Sequence, residues 1–450
     1  MAFEPQDRLA EKPASQAISF ARHLDLKKRW LYIMPAVFVT YSLAYVDRAN
    51  YGFGAAAGLA ETLHISSSQS ALLGSLFFLG YFLFQIPGAA YARKRSARGL
   101  IFGSLVTWGL LASLTGVIKV FWMLALDRLL LGAAESFILP GMLILLTKWF
   151  TRAERSRANT LLILGNPVTV LWMSAVTGYV IKKFGWQMTF IIEGLPSVLW
   201  GVVWYYVIRD RPEDASWISA DSAGTLETAL AREQSAIPRV PNISAALRNP
   251  NVVLLCVQYF FWSIGVYGFV LWLPVIIQKG SAKGIGVTGL LSAIPYAFAI
   301  IAMLIASYFS DRASQRIHFV WPFMFLGGAA FLGSYLTTDY SFWAAFAFLI
   351  VAGAAMYAPY GPFFAIFPEI LPSNVAGEVT ALVNSMGALG SFLGSWLVGF
   401  LQGYTGNSKA GYLLMSGSLM IAGCSMLLLR PVSQRSNTTS IGDGPAIQHE

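Results

Sequence analysis

The sequence predicts an all-helical (all-α) membrane protein, with twelve transmembrane helices arranged in two six-helix halves. Of its 450 residues, 56% are hydrophobic and only 12% are charged, whereas about 25% are charged in an ordinary soluble domain. Apolar segments long enough to cross a bilayer recur along most of the chain. One long polar stretch, 209–249, divides these segments into two equal groups.

The length of each apolar segment is compared with the thickness of a membrane. A bilayer core of about 30 Å requires roughly 20 mostly apolar residues per helix. Glycine or proline occurs inside several segments, and spanning helices tolerate both when neighbouring groups satisfy the freed backbone. The predicted spans are 30–54, 69–91, 98–118, 121–146, 158–181, 187–208, 250–278, 287–309, 318–337, 341–367, 374–402 and 410–429.

Basic residues predict the side of the membrane that each loop faces. Lys and Arg are concentrated in the N-terminal tail, in alternate loops and in the C-terminal tail. Because cytoplasmic loops carry this excess, we expect both termini and the central loop in the cytoplasm. The predicted division is a tail 1–29, a half 30–208, a loop 209–249, a half 250–430 and a tail 431–450. The first tail lacks the apolar core of a signal peptide.

Several function classes are not supported by the sequence. The net charge of +9 does not indicate nucleic-acid binding, because the basic residues lie in short segments between apolar runs. Cys256 and Cys424 lie inside apolar segments, which supports neither a disulfide framework nor a metal site. We find no nucleotide-binding motif and no nucleophile–base pair, so we expect neither an enzyme nor a bound cofactor.

Charged residues occur within two of the predicted spans. Asp47 and Arg48 lie in the first, and Asp127, Arg128 and Glu135 lie in the fourth. Such residues are costly at membrane depth and usually face a cavity or an ion path. The alternative is that they pair between helices as internal struts, and this applies best to Asp127, near the predicted membrane boundary. Buried ion pairs often stabilise no better than apolar packing, so stability alone explains the set poorly.

The two signs of charge suggest two tasks. A guanidinium stays protonated and matches a carboxylate with its planar fork of donors, so Arg48 and Arg128 are candidates to bind an anionic substrate. Burial opposes ionisation of a carboxylate and a nearby cation favours it, so Asp47 and Glu135 are candidates to take up and release protons. Arg128 and Glu135 are seven residues apart and share a helix face, about 10 Å apart along the axis.

Uncharged polar residues on other spans could complete a site for a hydroxylated ligand. For any single tyrosine, packing or a place at the membrane interface is an equally good interpretation. An amide at membrane depth requires a partner, which makes Asn166 and Asn384 stronger candidates. The candidates are Tyr45, Tyr81, Gln85, Asn166, Gln258, Tyr267, Tyr357, Tyr360, Asn384 and Ser385.

Several longer stretches carry a resemblance to known transporters. They are YVDRANYGF (45–53), LGYFLFQIPGA (79–89), DRLLLGAAESFILPG (127–141), WFTRAERSRANTLLILGNPV (149–168), FIIEGLPS (190–197) and NSMGALGSFLGSW (384–396). On these residues the chain resembles the major facilitator superfamily, and within it the anion:cation symporter family. GNPVTVLWMS, WSIGVYGFVLWLP and AGAAMYAPYGPFFAI are most similar to bacterial 2-ketogluconate transporters. The resemblance extends over residues 30–430.

The resemblance implies specific roles for the intramembrane residues. Arg48 would contact the substrate carboxylate, with Asp47, Arg128 and Glu135 as the other functional charges. Tyr81 corresponds to a cavity tyrosine and Asn384 to a polar position of the eleventh span.

It also implies gating contacts at the loops after the second span of each half. The superfamily motif there, Gly-x-x-x-Asp-Arg-x-Gly-Arg-Arg, reads GAAYARKRSAR in this chain. Ala92 replaces the Asp and Arg95 the Gly, whereas Arg93 retains the motif Arg as a gating candidate. The gating interaction ascribed to that Asp must therefore be absent or relocated, while Asp311 and Arg312 keep the Asp-Arg pair in the second half.

The expected function is proton-coupled import of a sugar-acid anion through a bacterial inner membrane, by a monomer that alternates access to its site. The best candidate substrate is 2-keto-D-gluconate; galactonate, rhamnonate and tartrate offer the same carboxylate and hydroxyl groups. The expected partners are therefore a small organic anion, protons as the driving ion, and the lipid bilayer. An organic-anion exchanger would keep the arginines without needing the carboxylates. A nutrient receptor would require a signalling domain, which the sequence does not predict.

Overall fold

A computed structural model describes residues 11–235, 250–313, 316–370, 373–406 and 409–429, most of which are helical. Within these ranges, eleven helical stretches are long and apolar enough to cross a bilayer. One of them, Leu161–Val207, has 47 residues and would extend roughly 70 Å as a straight helix. This is more than twice the thickness of a bilayer core, so the stretch crosses twice.

A glycine divides this double-length stretch. Gly185 has φ 80° and ψ 165°, a backbone conformation that is accessible essentially to glycine alone. The helix therefore consists of two arms, 152–184 and 186–207, which form the fifth and sixth passes. The described residues thus make twelve passes, and the predicted fold class is confirmed.

The helices are numbered here in chain order. The N-terminal half contains α1 (Glu11–Ala56), α2 (Leu59–Thr62), α3 (Ser67–Lys94), α4 (Ala97–Thr115), α5 (Phe121–Glu135), α6 (Ile138–Trp149) and α7 (Arg152–Val207). Helix α8 (Ala220–Ser235) lies between the halves. The C-terminal half contains α9 (Pro250–Ser281), α10 (Ile285–Ala313), α11 (Trp321–Thr337), α12 (Phe342–Tyr357), α13 (Tyr360–Ile370), α14 (Ser373–Thr405) and α15 (Lys409–Leu427).

Two predicted spans are interrupted in the structure. The fourth breaks between α5 and α6, four residues before Pro140, and the tenth breaks between α12 and α13, four residues before Pro362. A proline has no N–H to donate to the carbonyl four residues earlier. The helical ladder is therefore interrupted at Ser136 and at Ala358. The first break lies immediately after Glu135, one of the predicted functional residues.

The two halves pack against each other mainly through three pairs of helices: α1 with α9, α3 with α14, and α7 with α10. The α7–α10 contact brings two backbones together at Gly178 and Gly289. A Cβ at Gly289 would lie 2.4 Å from the carbonyl oxygen of Ser174. Glycine at this position therefore permits the close helix approach found in membrane bundles.

The predicted central loop is ordered in its first part. Trp217 stacks on Trp149 at 5.1 Å and on Tyr32 at 4.7 Å between ring centroids. These contacts attach the loop to the end of the N-terminal half at which α1 enters the bundle. The remainder of the predicted loop, 236–249, lies outside the described residues, as does the predicted tail 431–450.

Candidate functional site

The predicted charges of the first and fourth spans meet inside the N-terminal half. Arg48 on α1 donates from Nε to Glu135 Oε1 at 2.5 Å, and its Nη2 lies 2.5 Å from the same oxygen. Glu135 is fully buried, and its second oxygen, Oε2, has no hydrogen-bond partner within the described ranges. The fork of Arg48 therefore converges on a single carboxylate oxygen.

Aromatic rings surround the Arg48 guanidinium. Its central carbon lies 4.8 Å from the ring centroids of both Tyr45 and Tyr81, and 5.8 Å from that of Phe77. Ring faces attract a cation without neutralising it. The charge is thus held in place while it can still exchange one carboxylate partner for another. Two of the predicted binding tyrosines, Tyr45 and Tyr81, thus lie beside Arg48, and their role in binding stays a prediction.

Arg128 on α5 is buried with unused donors. Only 1% of the residue is exposed, and Nε and Nη1 make no hydrogen bond to any described residue. Its guanidinium lies 4.9 Å from the ring centroid of Tyr51 and 5.6 Å from that of Phe77. A buried guanidinium with unsatisfied donors is costly. An anion that accepts from these donors would remove the cost.

Asp47 does not pair with its neighbour in sequence. Asn50 donates from Nδ2 to Asp47 Oδ1 at 3.4 Å, whereas Asp47 Oδ2 is buried and has no partner among the described residues. Consecutive helix residues point about 100° apart. Asp47 and Arg48 therefore face different neighbours. The positive charge of Arg128 acts on the Asp47 carboxylate.

Asp127 is held by a local hydrogen bond. Thr115 at the end of α4 donates from Oγ1 to Asp127 Oδ2 at 2.7 Å. This contact ties α5 to α4, which agrees with the structural alternative raised for this residue from the sequence. Neither Arg48 nor Arg128 forms an ion pair with it within 4 Å in the described part of the structure.

Two of the predicted amides are buried with unsatisfied polar atoms. Gln258 on α9 has no exposed surface, and neither its Nε2 nor its Oε1 has a hydrogen-bond partner in the described ranges. Asn166 on α7 likewise leaves Oδ1 unpartnered. Buried amides normally form hydrogen bonds. These atoms are therefore available to hydroxyl groups of a ligand.

Three further predicted residues, Gln85, Tyr267 and Ser385, lie where the halves meet. Ser385 on α14 donates from Oγ to Gln85 Oε1 on α3 at 3.1 Å. Tyr267 on α9 packs its ring 4.6 Å from that of Phe78 on α3, and it lies near Arg48. The predicted binding residues of the two halves therefore meet across the contact between them.

The remaining predicted binding residues differ in position. Tyr357 and Tyr360 are buried and stack on each other at 5.6 Å between ring centroids, and Tyr357 also contacts Tyr296 at 5.8 Å. These rings pack within the C-terminal half. Asn384 is half-buried and forms no hydrogen bond with the described residues.

The predicted gating residues are only partly described. The side chains of Arg93 and Asp311 lie outside the described part of the chain, as does that of Ala92. Arg312 is exposed near the end of α10. The predicted gating contacts therefore remain predictions.

Sequence reasoning did not single out several residues of this cluster. Tyr51 and Phe77 contact the arginines, and Tyr51 is oriented by a 2.8 Å hydrogen bond from its hydroxyl to the Ser70 carbonyl. Glu193 on α7 is a further intramembrane carboxylate, and Thr177 donates to it at 2.5 Å. An acidic residue within the apolar run 186–207 was a sufficient signal for Glu193. No signal in the sequence identified the two rings.

Comparison with known proteins identifies the family of this twelve-pass bundle. Residues 37–395 match the Major Facilitator Superfamily. The chain belongs to this superfamily. A putative tartrate transporter of Agrobacterium vitis is 29% identical over 411 residues, covering 90% of this chain and 94% of that protein. A quinolone resistance transporter of Acinetobacter baumannii is 32% identical over 397 residues, covering 85% and 90%.

The fold of this superfamily member also agrees with a solved structure. A bacterial homologue of the human lysosomal transporter Spinster, in an inward-facing and occupied conformation, superposes with a TM-score of 0.68. The alignment covers 88% of this chain and 96% of that chain, at 16% sequence identity. The protein is therefore a multi-pass membrane transporter of the superfamily.

Proposed function

We propose that the protein is a proton-coupled importer of a sugar-acid anion, with 2-keto-D-gluconate as the first candidate. The observation that carries this proposal is the pair of buried arginines. Arg128 has unused donors, and Arg48 is bound through one oxygen of Glu135. Two guanidiniums at membrane depth, set among aromatic rings, form a recognition site for an anion.

Charge balance connects anion binding to proton binding. Arg48 and Arg128 carry two positive charges, and ionised Asp47 and Glu135 carry two negative charges. A bound monoanion would leave one excess negative charge in a site of low dielectric constant, which is costly. A proton on either carboxylate removes that excess.

Glu135 and the substrate carboxylate can replace each other as the partner of Arg48. When Glu135 is ionised, it competes with the substrate carboxylate for Arg48. When it takes a proton, the ion pair is lost and the Arg48 fork becomes available to the substrate. Proton binding therefore strengthens substrate binding, and by linkage substrate binding strengthens proton binding.

The membrane potential makes the number of protons important. Each elementary charge moved through 100 mV is worth about 2.3 kcal/mol. Import of a monoanion into a negative interior is opposed, and one co-transported proton only makes it electroneutral. Asp47 and Glu135 together could carry two protons, which would make uphill import electrogenic.

The substrate class is inferred from the uncharged groups and from resemblance. The unpartnered atoms of Gln258 and Asn166 suit the hydroxyl groups of a sugar acid. Two of the relatives from Agrobacterium vitis are named as putative tartrate transporters, so tartrate is retained as an alternative. We further propose a monomer in a bacterial inner membrane, with both termini in the cytoplasm.

Uptake into proteoliposomes tests the whole proposal. A labelled panel of 2-ketogluconate, galactonate, rhamnonate and tartrate would be offered with an acidic exterior. We expect transient accumulation of at least one sugar acid, abolished by a protonophore. Absence of accumulation would contradict proton coupling, and exchange without a pH gradient would favour an anion exchanger. Absence of an inward positive current would exclude the two-proton version.

Variants of the charged residues test which residues bind substrate and which bind protons. Arg48→Ala should abolish substrate binding, and retained affinity would contradict its role. Asp47→Asn and Glu135→Gln should spare counterflow more than proton-driven accumulation. In addition, substrate binding by the wild type should strengthen as pH falls. In Glu135→Gln, Arg48 is permanently available, so this component of the pH dependence should disappear.

A second candidate function is drug export, favoured by the 32% identity to the quinolone resistance transporter. Expression in a drug-sensitive bacterial strain distinguishes the two. A raised inhibitory concentration of a quinolone, without uptake of any sugar acid, would favour export.

A further inference from the structure

Glu193 forms a carboxylate site separate from the Arg48–Glu135 pair. It lies in the second arm of α7, eight residues after Gly185. Thr177 in the first arm donates from Oγ1 to Glu193 Oε1 at 2.5 Å, while Oε2 is buried without a hydrogen-bond partner among the described residues. The two arms of α7 are therefore joined through an acidic group within the membrane.

One amide connects Glu193 to Asp47. Asn50 is 2% exposed and donates to Asp47 Oδ1 at 3.4 Å, and it lies near the Glu193 carboxylate. Asp47 Oδ2 and Asn50 Oδ1 have no hydrogen-bond partner in the described part of the chain. Two carboxylates thus flank a single amide, each with a buried oxygen that no described residue satisfies.

The surrounding charges do not compensate both carboxylates. Arg128 on α5 is the cation that acts on Asp47, and Asp127 on α5 adds a further negative charge nearby. The other arm of α7 contributes the uncharged Thr177, and α4 approaches through Gly109 and Ser113, which lie against Gly194. Two like charges in one buried site oppose each other, and a single proton shared between them is the usual outcome.

We propose that Glu193 and Asp47 jointly bind one transported proton, with Asn50 holding the pair together. This inference rests on the proposed proton coupling. The negative charge of either carboxylate favours protonation of the other, so removing one leaves the other ionised beside Arg128 or Thr177. Glu193 is then a coupling residue that need not contact the substrate.

The proposal predicts a defined loss of accumulation. In proteoliposomes with a pH gradient of about one unit and no potential, each coupled proton contributes about tenfold to the steady-state accumulation ratio. We expect Glu193→Gln to lower this ratio about tenfold, with counterflow of the same sugar acid unchanged. Because the site is joint, the double variant Asp47→Asn/Glu193→Gln should lose no more than either single variant.

Two further variants keep the test independent of folding defects. Thr177→Val retains both carboxylates but removes a donor that favours ionised Glu193, so half-maximal uptake should shift to higher pH. Asp210→Asn is the matched control, because it alters another hydroxyl–carboxylate contact, the one that Ser96 donates to Asp210, without touching Asn50. Its accumulation ratio should equal that of the wild type.

Three results would overturn the proposal: wild-type accumulation in Glu193→Gln, an unshifted pH profile in Thr177→Val, or an equal loss in Asp210→Asn. A roughly hundredfold loss in the double variant would also overturn it, because two independent tenfold losses multiply. If the wild type itself shows no proton-driven accumulation, the proposed function fails first, which distinguishes the two failures.

Discussion

The two halves of the bundle bury different chemistry. Among the described residues, every buried charged side chain belongs to the N-terminal half: Arg29, Asp47, Arg48, Asp127, Arg128 and Glu135. The described spans of the C-terminal half bury serine, threonine, tyrosine and amide side chains, such as Gln258 and Ser385. Transporters built from repeated halves place their site between them, and here only one half contributes charge to it.

This difference suggests a division of labour. We propose that the N-terminal half recognises the anion and binds the protons, because Asp47, Arg48, Arg128 and Glu135 share one cluster. The C-terminal half supplies uncharged contacts, which would form hydrogen bonds with the hydroxyl groups of the ligand. These contacts would also couple ligand binding to the contact between the halves. Anion recognition and selectivity among anions should therefore respond to different substitutions.

The largest effect is expected from removing charge in the N-terminal half. Arg128→Gln should weaken substrate binding by about a hundredfold or more, because losing the charged partner of a buried anion costs about 3–5 kcal/mol. Equilibrium binding of labelled substrate to purified protein measures it.

A matched surface arginine provides the control for Arg128→Gln. Arg98 lies over the ring of Tyr205 at 4.0 Å and bonds to its backbone carbonyl, away from the cluster. Arg98→Gln should retain substrate affinity. Equal losses in both variants would contradict a specific role for Arg128.

A smaller effect is expected from an uncharged residue of the C-terminal half. Gln258→Leu should weaken binding of a hydroxylated substrate about tenfold, because one or two hydrogen bonds worth roughly 1 kcal/mol each are lost. Proton coupling should persist. Thermal stability should stay equal or rise, since the substitution removes two buried polar atoms that lack partners in the described structure.

Gln278 on the same helix provides a control that separates a change in substrate affinity from a change in stability. Its side chain accepts a hydrogen bond from Thr288, so Gln278→Leu should lower stability and leave substrate affinity unchanged. A stability loss in Gln258→Leu would instead assign Gln258 a structural role.

The sequence predicted the elements of this site better than their pairing. Composition and segment length are local properties, so the twelve passes and the charged positions within them could be identified. Arg48 and Glu135 are 87 residues apart, and no local pattern specifies that contact. The 100° step between consecutive helix residues explains why Asp47 and Arg48 face different partners, but the prediction did not apply it to them.

Some other structural features could have been predicted from the sequence, and others could not. The breaks before Ile138 and Tyr360 follow from Pro140 and Pro362, four residues after each freed carbonyl. Glu193 could have been found by the criterion that singled out Glu135. The location of Phe77 beside both arginines depends on how α3 packs against α1 and α5, which the sequence alone does not determine.

The smallest effect is expected where the halves meet through one uncharged hydrogen bond. Ser385→Ala removes the 3.1 Å contact with Gln85, worth about 0.5–1.5 kcal/mol. If that bond favours the conformation described here, its loss should shift the population toward the other conformation about threefold. Distances between spin labels on the two halves measure the shift. Ser391→Ala removes a bond only to Gly387 in the same helix and should leave the distances unchanged, so an equal shift in both variants would contradict a role for the contact between halves.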